Sequence, residues 1–479
     1  MMVLLSLSVF LLILIAIGIL RTLLLRKTPS RIQTKPAGSP TEETVGKLQK
    51  AISFKTISYS NEQDTDWEEF KKFGDYLASA FPLCEKTLKQ TSDSSYNLIY
   101  RFEGQDPTLQ PGLLTAHQDV VGANPSEWTH PPFAGDFCDG YIWGRGSFDC
   151  KLQLISILES FETLLQQNRK PKRTWYAAFG CDEEVNGGTK GATLIAQQFK
   201  QKGITFSLVL DEGGVVSERY IQGIQNPIAV VGVAEKGYMD TELTCSRTAG
   251  HSSTPEFPTA LGKISQAITN IERHRHTKNI TKPVEQMLFN IGKEAPFLYS
   301  FLFLNLWLTQ PLLVTIFSKN PTLNAVLRTT SVPTMIQASD KSNVIAQQAS
   351  CTVNSRLLQG DDENSVVQYL RKTIQDKDIS IHVKKYSPPS KESPTSGRAF
   401  EEIRSTIKEI FPEAIVTSYL MLGATDARKY ESLCENIYRF TPAQMDKSEI
   451  QRMHGADERI SAENLQKSID FFLSLLDRW

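Results

Sequence analysis

The sequence predicts an α/β fold: a mostly parallel sheet with helices on both faces, three layers in all, and a smaller domain inserted into it. Three observations carry this prediction. Short, nearly continuous apolar runs at Gly112–Ala116, Trp175–Phe179 and Phe206–Leu210 stop abruptly in polar residues, as buried strands do. The polar ends are His117-Gln118-Asp119, Gly180-Cys181-Asp182-Glu183-Glu184 and Asp211-Glu212-Gly213-Gly214. Helical spacing lies between the runs, as in Leu152, Ile155, Leu158, Phe161 and Leu164, and alternating strands and helices build a parallel sheet. Residues 234–386 then intervene before the C-terminal part; so long an interval folds as a domain, because structureless loops of that length are rare.

The elements follow in chain order. With 479 residues the chain can form two domains and a terminal segment. Val3 to Leu20 carries no charge, and apolar character resumes after Arg21 through Leu25, about the length of a bilayer-spanning helix. Residues 1–27 are therefore expected to form a transmembrane signal-anchor, with a cleaved signal peptide as the rival. The basic stretch that opens a signal peptide is missing, and Ala16-Ile17-Gly18 is a faint cleavage site. Arg21, Arg26, Lys27 and Arg31 favour a cytosolic main body, whereas the sequon Asn279-Ile280-Thr281 favours an extracytosolic one. The expectation is a single-pass membrane protein with its main body outside the cytosol, or secretion after cleavage. Residues 28–43, rich in Pro, Ser, Thr and Lys, read as a linker.

Composition excludes some functions. Basic and acidic residues number 52 and 53, for a net charge of -1, so no cationic excess exists to bind nucleic acid. Seven dispersed cysteines without CxxC spacing form neither a disulfide scaffold nor a thiolate zinc site. Any metal must be held by histidines and carboxylates.

Among seven histidines, His274 and His276 read as a solvated helix face, His382 as a surface position on an alternating strand, and His130 as part of a rigid proline loop. His117, His251 and His454 remain, each beside glycine or acidic residues. Asp119 is placed to orient the His117 ring. Asp149 lies in the glycine-rich stretch Gly144–Lys151 that opens a helix, where a plain N-cap is also a valid reading. Glu183 and Glu184 are adjacent carboxylates at a buried strand end, which repel unless a cation is present or one stays protonated. Successive side chains diverge, so one can bind metal while the other faces substrate. His117, Glu183, Glu184 and Asp211 all fall at the carboxyl edge of the sheet, where ligands bind in such folds.

His117-Gln118-Asp119, Gly144–Lys151, Asp182-Glu183-Glu184, Leu210–Gly214, Gly250-His251-Ser252-Ser253 and Met453-His454-Gly455 occur in this order. They closely resemble the dinuclear zinc aminoacylase/carboxypeptidase superfamily, in particular its carboxypeptidase S group and the N-fatty-acyl-amino acid synthase/hydrolases within it. The similarity runs from about Leu48 to the C-terminus and includes Gly423–Arg428 and Ile437–Phe440. The resemblance implies two Zn2+ ions bridged by Asp149, with His117 and Asp211 completing one ligand set and Glu184 and His454 the other. It further implies Glu183 as general base, Asp119 as a catalytic partner of His117, and His251 as oxyanion donor. Asn343 and Arg356 would hold the substrate's carboxylate. Imidazole and carboxylate suit zinc, and an arginine fork suits a carboxylate.

The implied activity is zinc-dependent hydrolysis, or reverse condensation, of the amide bond of N-acyl, in particular N-fatty-acyl, amino acids. A carboxypeptidase acting on short peptides is the enzyme rival; an inactive membrane-anchored binding protein is the rival from another class. The partners implied are a small-molecule amide substrate, a membrane through the N-terminal helix and a second copy of the chain. The catalytic domain would comprise residues 44–233 and 387–479, and residues 234–386 a smaller α+β lid that pairs copies. Cys150 stands where close relatives usually carry a second acidic residue, and Ala346 replaces a proline. Neither change removes a ligand or the base. Cys150 and Cys181 read as small buried hydrophobes.

Pro296 to Phe317 is strongly apolar. Asn305, Gln310 and Pro311 argue against a second membrane span. Packed lid core or dimer surface is the expectation, with an acyl-chain wall or a patch resting on a membrane as alternatives. Each buried methylene of an acyl chain contributes about 0.8 kcal/mol, so a modest groove selects long chains.

Overall fold

A computed structural model describes residues 2–27, 38–90, 96–185 and 188–479. Most of the expected linker, residues 28–37, lies outside them. A helix over Glu42–Ile52 begins just inside the expected end of that linker, its first turn capped by the Thr41 hydroxyl.

The N-terminal helix α1 spans Met2–Leu25. The sheet region contributes β1 (Leu98–Phe102), β2 (Gly112–His117), helix α2 (Lys151–Gln166), β3 (Trp175–Gly180), β4 (Leu208–Ser217) and β5 (Ile228–Glu235). The inserted segment follows with β6 (Gly237–Ser246), α3 (Ala260–Arg273), α4 (Lys282–Glu294), α5 (Phe297–Leu304) and α6 (Leu306–Phe317). It continues with β7 (Thr330–Gln337), β8 (Gln348–Leu357), α7 (Glu363–Ile374) and β9 (Ile379–Ser387). The chain then returns with β10 (Ile415–Met421), β11 (Ile437–Met445) and α8 (Ala462–Arg478).

The central sheet has eight strands, in the order Lys89–Gln90, β1, β3, β2, β4, β11, β5, β10. The run β3-β2-β4-β11 is parallel, as is β5 with β10. Both faces are covered, and side-chain alternation shows how. Leu114, Ala177, Phe179 and Leu210 enter one apolar cluster with α2 and α8. Their neighbours Leu113, Ala178 and Val209 enter another with the helix Ala192–Gln201. Period-two alternation between two helical layers makes the three-layer sandwich expected from the sequence.

The lid is a four-stranded antiparallel sheet, β7-β8-β6-β9. Met239, Leu243, Val353 and Leu357 pack on Ile264 of α3 and Leu370 of α7. The apolar segment 296–317 does not join this core, contrary to the expectation of packed lid core. Helices α4 to α6 leave the lid and place Met287, Leu288, Ile291, Phe303, Leu313 and Phe317 against Ile228 and Val230 of β5 and Ile415 and Leu420 of β10. The reason is that β10 is the last strand of the central sheet, and its apolar side chains need a cover. His276 is a second correction. Helix α3 ends at Arg273, so His276 is not on its face but stacks on Tyr369, centroids 3.5 Å apart.

Candidate metal centre

The expected histidines and carboxylates converge at the carboxyl edge of β3, β2 and β4. His117 closes β2, Asp149 sits on the turn before α2, and Glu183 and Glu184 follow β3. His454 arrives from the loop before α8 with a φ of 60°. That left-handed conformation is strained for a residue with a Cβ and persists where the surroundings enforce it.

The two oxygens of Asp149 face two different imidazoles. Oδ1 lies 3.0 Å from His117 Nε2, and Oδ2 lies 3.1 Å from His454 Nε2. Glu184 Oε1 is 3.2 Å from the same His454 nitrogen. Donor atoms of Asp149, Glu184 and His454 lie within 4.8 Å of one another, as do those of His117, Asp149, Cys150 and Glu212, and of His117, Glu183 and Glu184.

On the His117 side the carboxylate is Glu212, not the expected Asp211. Glu212 Oε1 is 3.2 Å from His117 Nε2. Asp211 is buried; its Oδ1 accepts the Glu212 amide at 2.9 Å, and its Oδ2 has no partner among the described residues. The physical reason is a bulge. Arg439 of β11 pairs with Asp211, but the next residue, Phe440, pairs with Gly214, so Glu212 and Gly213 are extra in β4. Such an insertion re-aims side chains beside active sites, and Gly213 takes the φ of 139° that it requires.

The structure also changes how Asp119 acts. His117 Nδ1 lies 2.8 Å from the Asp119 main-chain carbonyl, while the carboxylate is 3.6 Å away. A carbonyl only accepts, so Nδ1 carries a proton and donates it, which turns Nε2 towards the cluster. The Asp119 carboxylate instead accepts the amides of Glu183 (3.2 Å) and Glu184 (3.0 Å) and the Ser58 hydroxyl (2.6 Å). It shapes the acidic turn rather than the imidazole.

Glu458 gives similar support elsewhere. Fully buried, it accepts the amides of Gly146, Phe148 and Asp149 and pairs with Arg145 at 2.6 Å. Arg145 in turn donates to the Gly455 carbonyl, tying the Asp149 turn to the His454 loop.

The electrostatics fit cations. Asp149, Glu183, Glu184 and Glu212 converge on only two imidazoles. Desolvation pushes Glu183 well above the usual carboxylate range. Burial, then the charge of Asp149, raises Glu212 to about 8. Burial opposes ionisation of Asp149 as well, but hydrogen bonds from both imidazoles outweigh it and hold its pKa low. Hydrogen bonds to Asp149 and Glu184 raise His454 to about 10. Carboxylate oxygens of Asp149 and Glu212 converge on His117 Nε2 at 3.0 and 3.2 Å, a position that suits a cation, and the donors are the N/O set that zinc prefers.

Cys150 Sγ accepts the His117 amide at 3.1 Å, and burial drives its thiol far above the ordinary range. It is a protonated, inert neighbour of the site. Cys181 is likewise buried.

The remaining expected residues stay on the lid. His251 is exposed, with Nδ1 2.8 Å from Ser253 Oγ. The Asn343 carbonyl accepts the Ser252 amide at 3.1 Å, and the Arg356 guanidinium lies 4.8 Å over the Tyr238 ring. Among the described residues, none of the three bonds to the cluster.

This is the donor cluster and fold of a metallohydrolase. A profile of the peptidase family M20/M25/M40 matches residues 113–478; the chain belongs to that family and is a hydrolase acting on amide bonds. It is 39% identical over 441 residues to "Probable carboxypeptidase S-like 2" of Dictyostelium discoideum, covering 91% of this chain and 84% of that protein. It is 35% identical over 447 residues to the N-fatty-acyl-amino acid synthase/hydrolase PM20D1 of Xenopus tropicalis, covering 92% and 87%. Carboxypeptidase S of Saccharomyces cerevisiae is 28% identical over 492 residues, covering 89% and 82%. The M20 family metallo-carboxypeptidase Sso-CP2 of Sulfolobus solfataricus shares the fold, with a TM-score of 0.65 at 16% identity over 91% of this chain and 99% of that one.

Proposed function

We propose that this hydrolase is a two-zinc enzyme, with His117, Asp149, Glu184, Glu212 and His454 as the residues that would hold the ions, and that it cleaves, or in reverse forms, the amide bond of N-fatty-acyl amino acids. The observation that supports this reading best is the Asp149 carboxylate, whose two oxygens face separate imidazoles at 3.0 and 3.1 Å. His117 and Glu212 complete one donor set, and Glu184 and His454 the other; Asp211 is a supporting residue behind Glu212. When bound, the ions supply Lewis acidity and lower the pKa of water towards neutrality.

The rest of the mechanism belongs to the chain. Glu183, adjacent to both sets, takes the proton of the attacking water and passes it to the leaving nitrogen. Its desolvated carboxyl has the raised proton affinity that such a shuttle needs. Asp119 holds the Glu183–Glu184 turn in register. On the lid, Arg356 and Asn343 take the substrate's carboxylate and His251 the oxyanion once the lid tip meets the substrate. Strand β7 is an edge of the lid sheet, and Val332 and Met335 are exposed on one side of it, an edge suited to pairing two lids as a homodimer. The exposed Asn279 suits a glycosylated, extracytosolic main body.

The likeness to carboxypeptidase S-like proteins supports a second reading, a carboxypeptidase acting on short peptides with the same centre. Steady-state hydrolysis of a long-chain N-acyl amino acid and of a dipeptide by the same sample decides between them. The first reading expects the higher kcat/KM on the acyl substrate; the reverse order replaces it with the second.

A further inference from the structure

Helices α5 and α6 form a bent hairpin against which α1 docks. Gly18 makes the close approach possible, since a Cβ there would sit 2.8 Å from the Phe301 ring. Asn305, fully buried at the bend, donates from Nδ2 to the Gly18 carbonyl (3.2 Å) and to Thr22 Oγ1 (2.9 Å) on α1. Thr309 Oγ1 donates to the Leu302 carbonyl across the bend, while the Asn305 carbonyl accepts the Leu308 and Thr309 amides. The polar residue that argues against a bilayer in the sequence is thus satisfied by α1, which is the condition for irregular backbone at membrane depth.

The outward faces of this unit are apolar. On α6, Thr309, Leu313 and Phe317 point inward, while Trp307, Leu312 and Ile316 are 47%, 53% and 47% exposed. Leu298 on α5 and Phe10, Leu12, Leu20 and Leu24 on α1 are exposed as well. A helix apolar on both faces without protein cover is out of place in water.

Cations gather where α1 ends. Arg26 donates to the Ala295 carbonyl, and the Lys27 amide to that of Lys293. The nearby acids are already engaged, Glu294 with Lys408 at 3.0 Å and Glu401 with Arg404 at 3.5 Å. Arg26, Lys27 and Lys293 therefore border the apolar surface with positive charge, complementary to anionic lipid headgroups.

Length decides how the hairpin meets a bilayer. Its helices have 8 and 12 residues and are bent by 106°; at 1.5 Å per residue they are about 12 and 18 Å long, short of the ~30 Å hydrocarbon core. They cannot span it, but they can lie in its boundary layer.

We propose that the α5–α6 hairpin is a membrane-seating element that enters one leaflet of an anionic bilayer beside α1. The protein is then held at two points, α1 and the hairpin, and faces the membrane in one orientation instead of swinging on a tether. This goes beyond the proposed function and holds for either amide substrate.

The test uses the full chain in nanodiscs of phosphatidylcholine and phosphatidylserine, with plain or brominated acyl chains, and reads tryptophan emission. Of the six tryptophans, Trp307 alone lies on the hairpin. Brominated lipid should quench the wild-type emission, and Trp307→Phe, with hydrolysis intact as the control for folding, should lose most of that quenching. Equal quenching in both proteins, or none in the wild type, overturns the proposal. So does a dimer in which Trp307 is shielded from brominated lipid, or a mature N-terminus found beyond Arg26.

Discussion

At the carboxyl edge of the central sheet, His117 and Asp119 are 1% and 0% exposed, and His117, Glu184 and Asp149 are held by bonds to Asp119 and Glu458. At the lid tip, His251 and Asn343 are exposed, and Arg356 rests on the Tyr238 ring. The first region is preorganised before substrate arrives, as metal chemistry requires. The second is exposed, as the proposed role in substrate recognition allows. Chemistry and recognition are therefore expected to fail separately.

Removing the proposed base should break the first region most severely. Glu183→Gln should lower kcat by about 10²–10⁴-fold while elemental analysis still finds the metal complement of the wild type. Substantial residual turnover would mean that another group moves the proton. Next comes the choice at the bulge. Glu212→Ala should weaken metal binding by more than about 10-fold, and Asp211→Asn by less, as read by competition with a chelator. The opposite order would restore Asp211 as the donor.

The lid should respond in KM instead. If Arg356 takes the substrate carboxylate as proposed, Arg356→Lys should raise KM by about 10-fold with kcat nearly unchanged. A fall confined to kcat would erase the division between the regions.

The smallest effect concerns Lys236, at the joint between them. It is buried, with Nζ donating to the Ala325 and Arg328 carbonyls at 3.0 and 2.8 Å. Burial, then the charge of Arg356, lowers its pKa from 10.5 to about 7. Ionising it in the folded state costs stability, so the penalty is complete below about pH 7 and fades as pH rises to 10.5. The Tm of the wild type minus that of Lys236→Met should therefore rise across this window. A flat difference would show that Lys236 is not desolvated at the joint.

What the sequence makes legible follows from how local each signal is. Strands β2 and β3 are continuous apolar runs, and His117, Asp149, Glu183, Glu184 and His454 stand in short ordered motifs, so all are readable from the chain. Glu212 is not, because the bulge that re-aims it is a register shift against β11, more than 200 residues later in the chain. Ser58 and Glu458 carry no motif; a lone serine or glutamate looks like surface until its partners are known. The stretch 296–317 is visibly apolar, but apolarity does not say what it packs on. Asn305 reads as an obstacle to a membrane only until its bond to Thr22, 283 residues away, is seen.

The account depends on one carboxylate serving two cations, and metal content tests that most directly. Elemental analysis of the purified full chain should find about two zinc equivalents per chain, and Asp149→Ala should lose both together. A wild type that saturates with a single ion, or an Asp149→Ala protein that keeps its full complement, would contradict it.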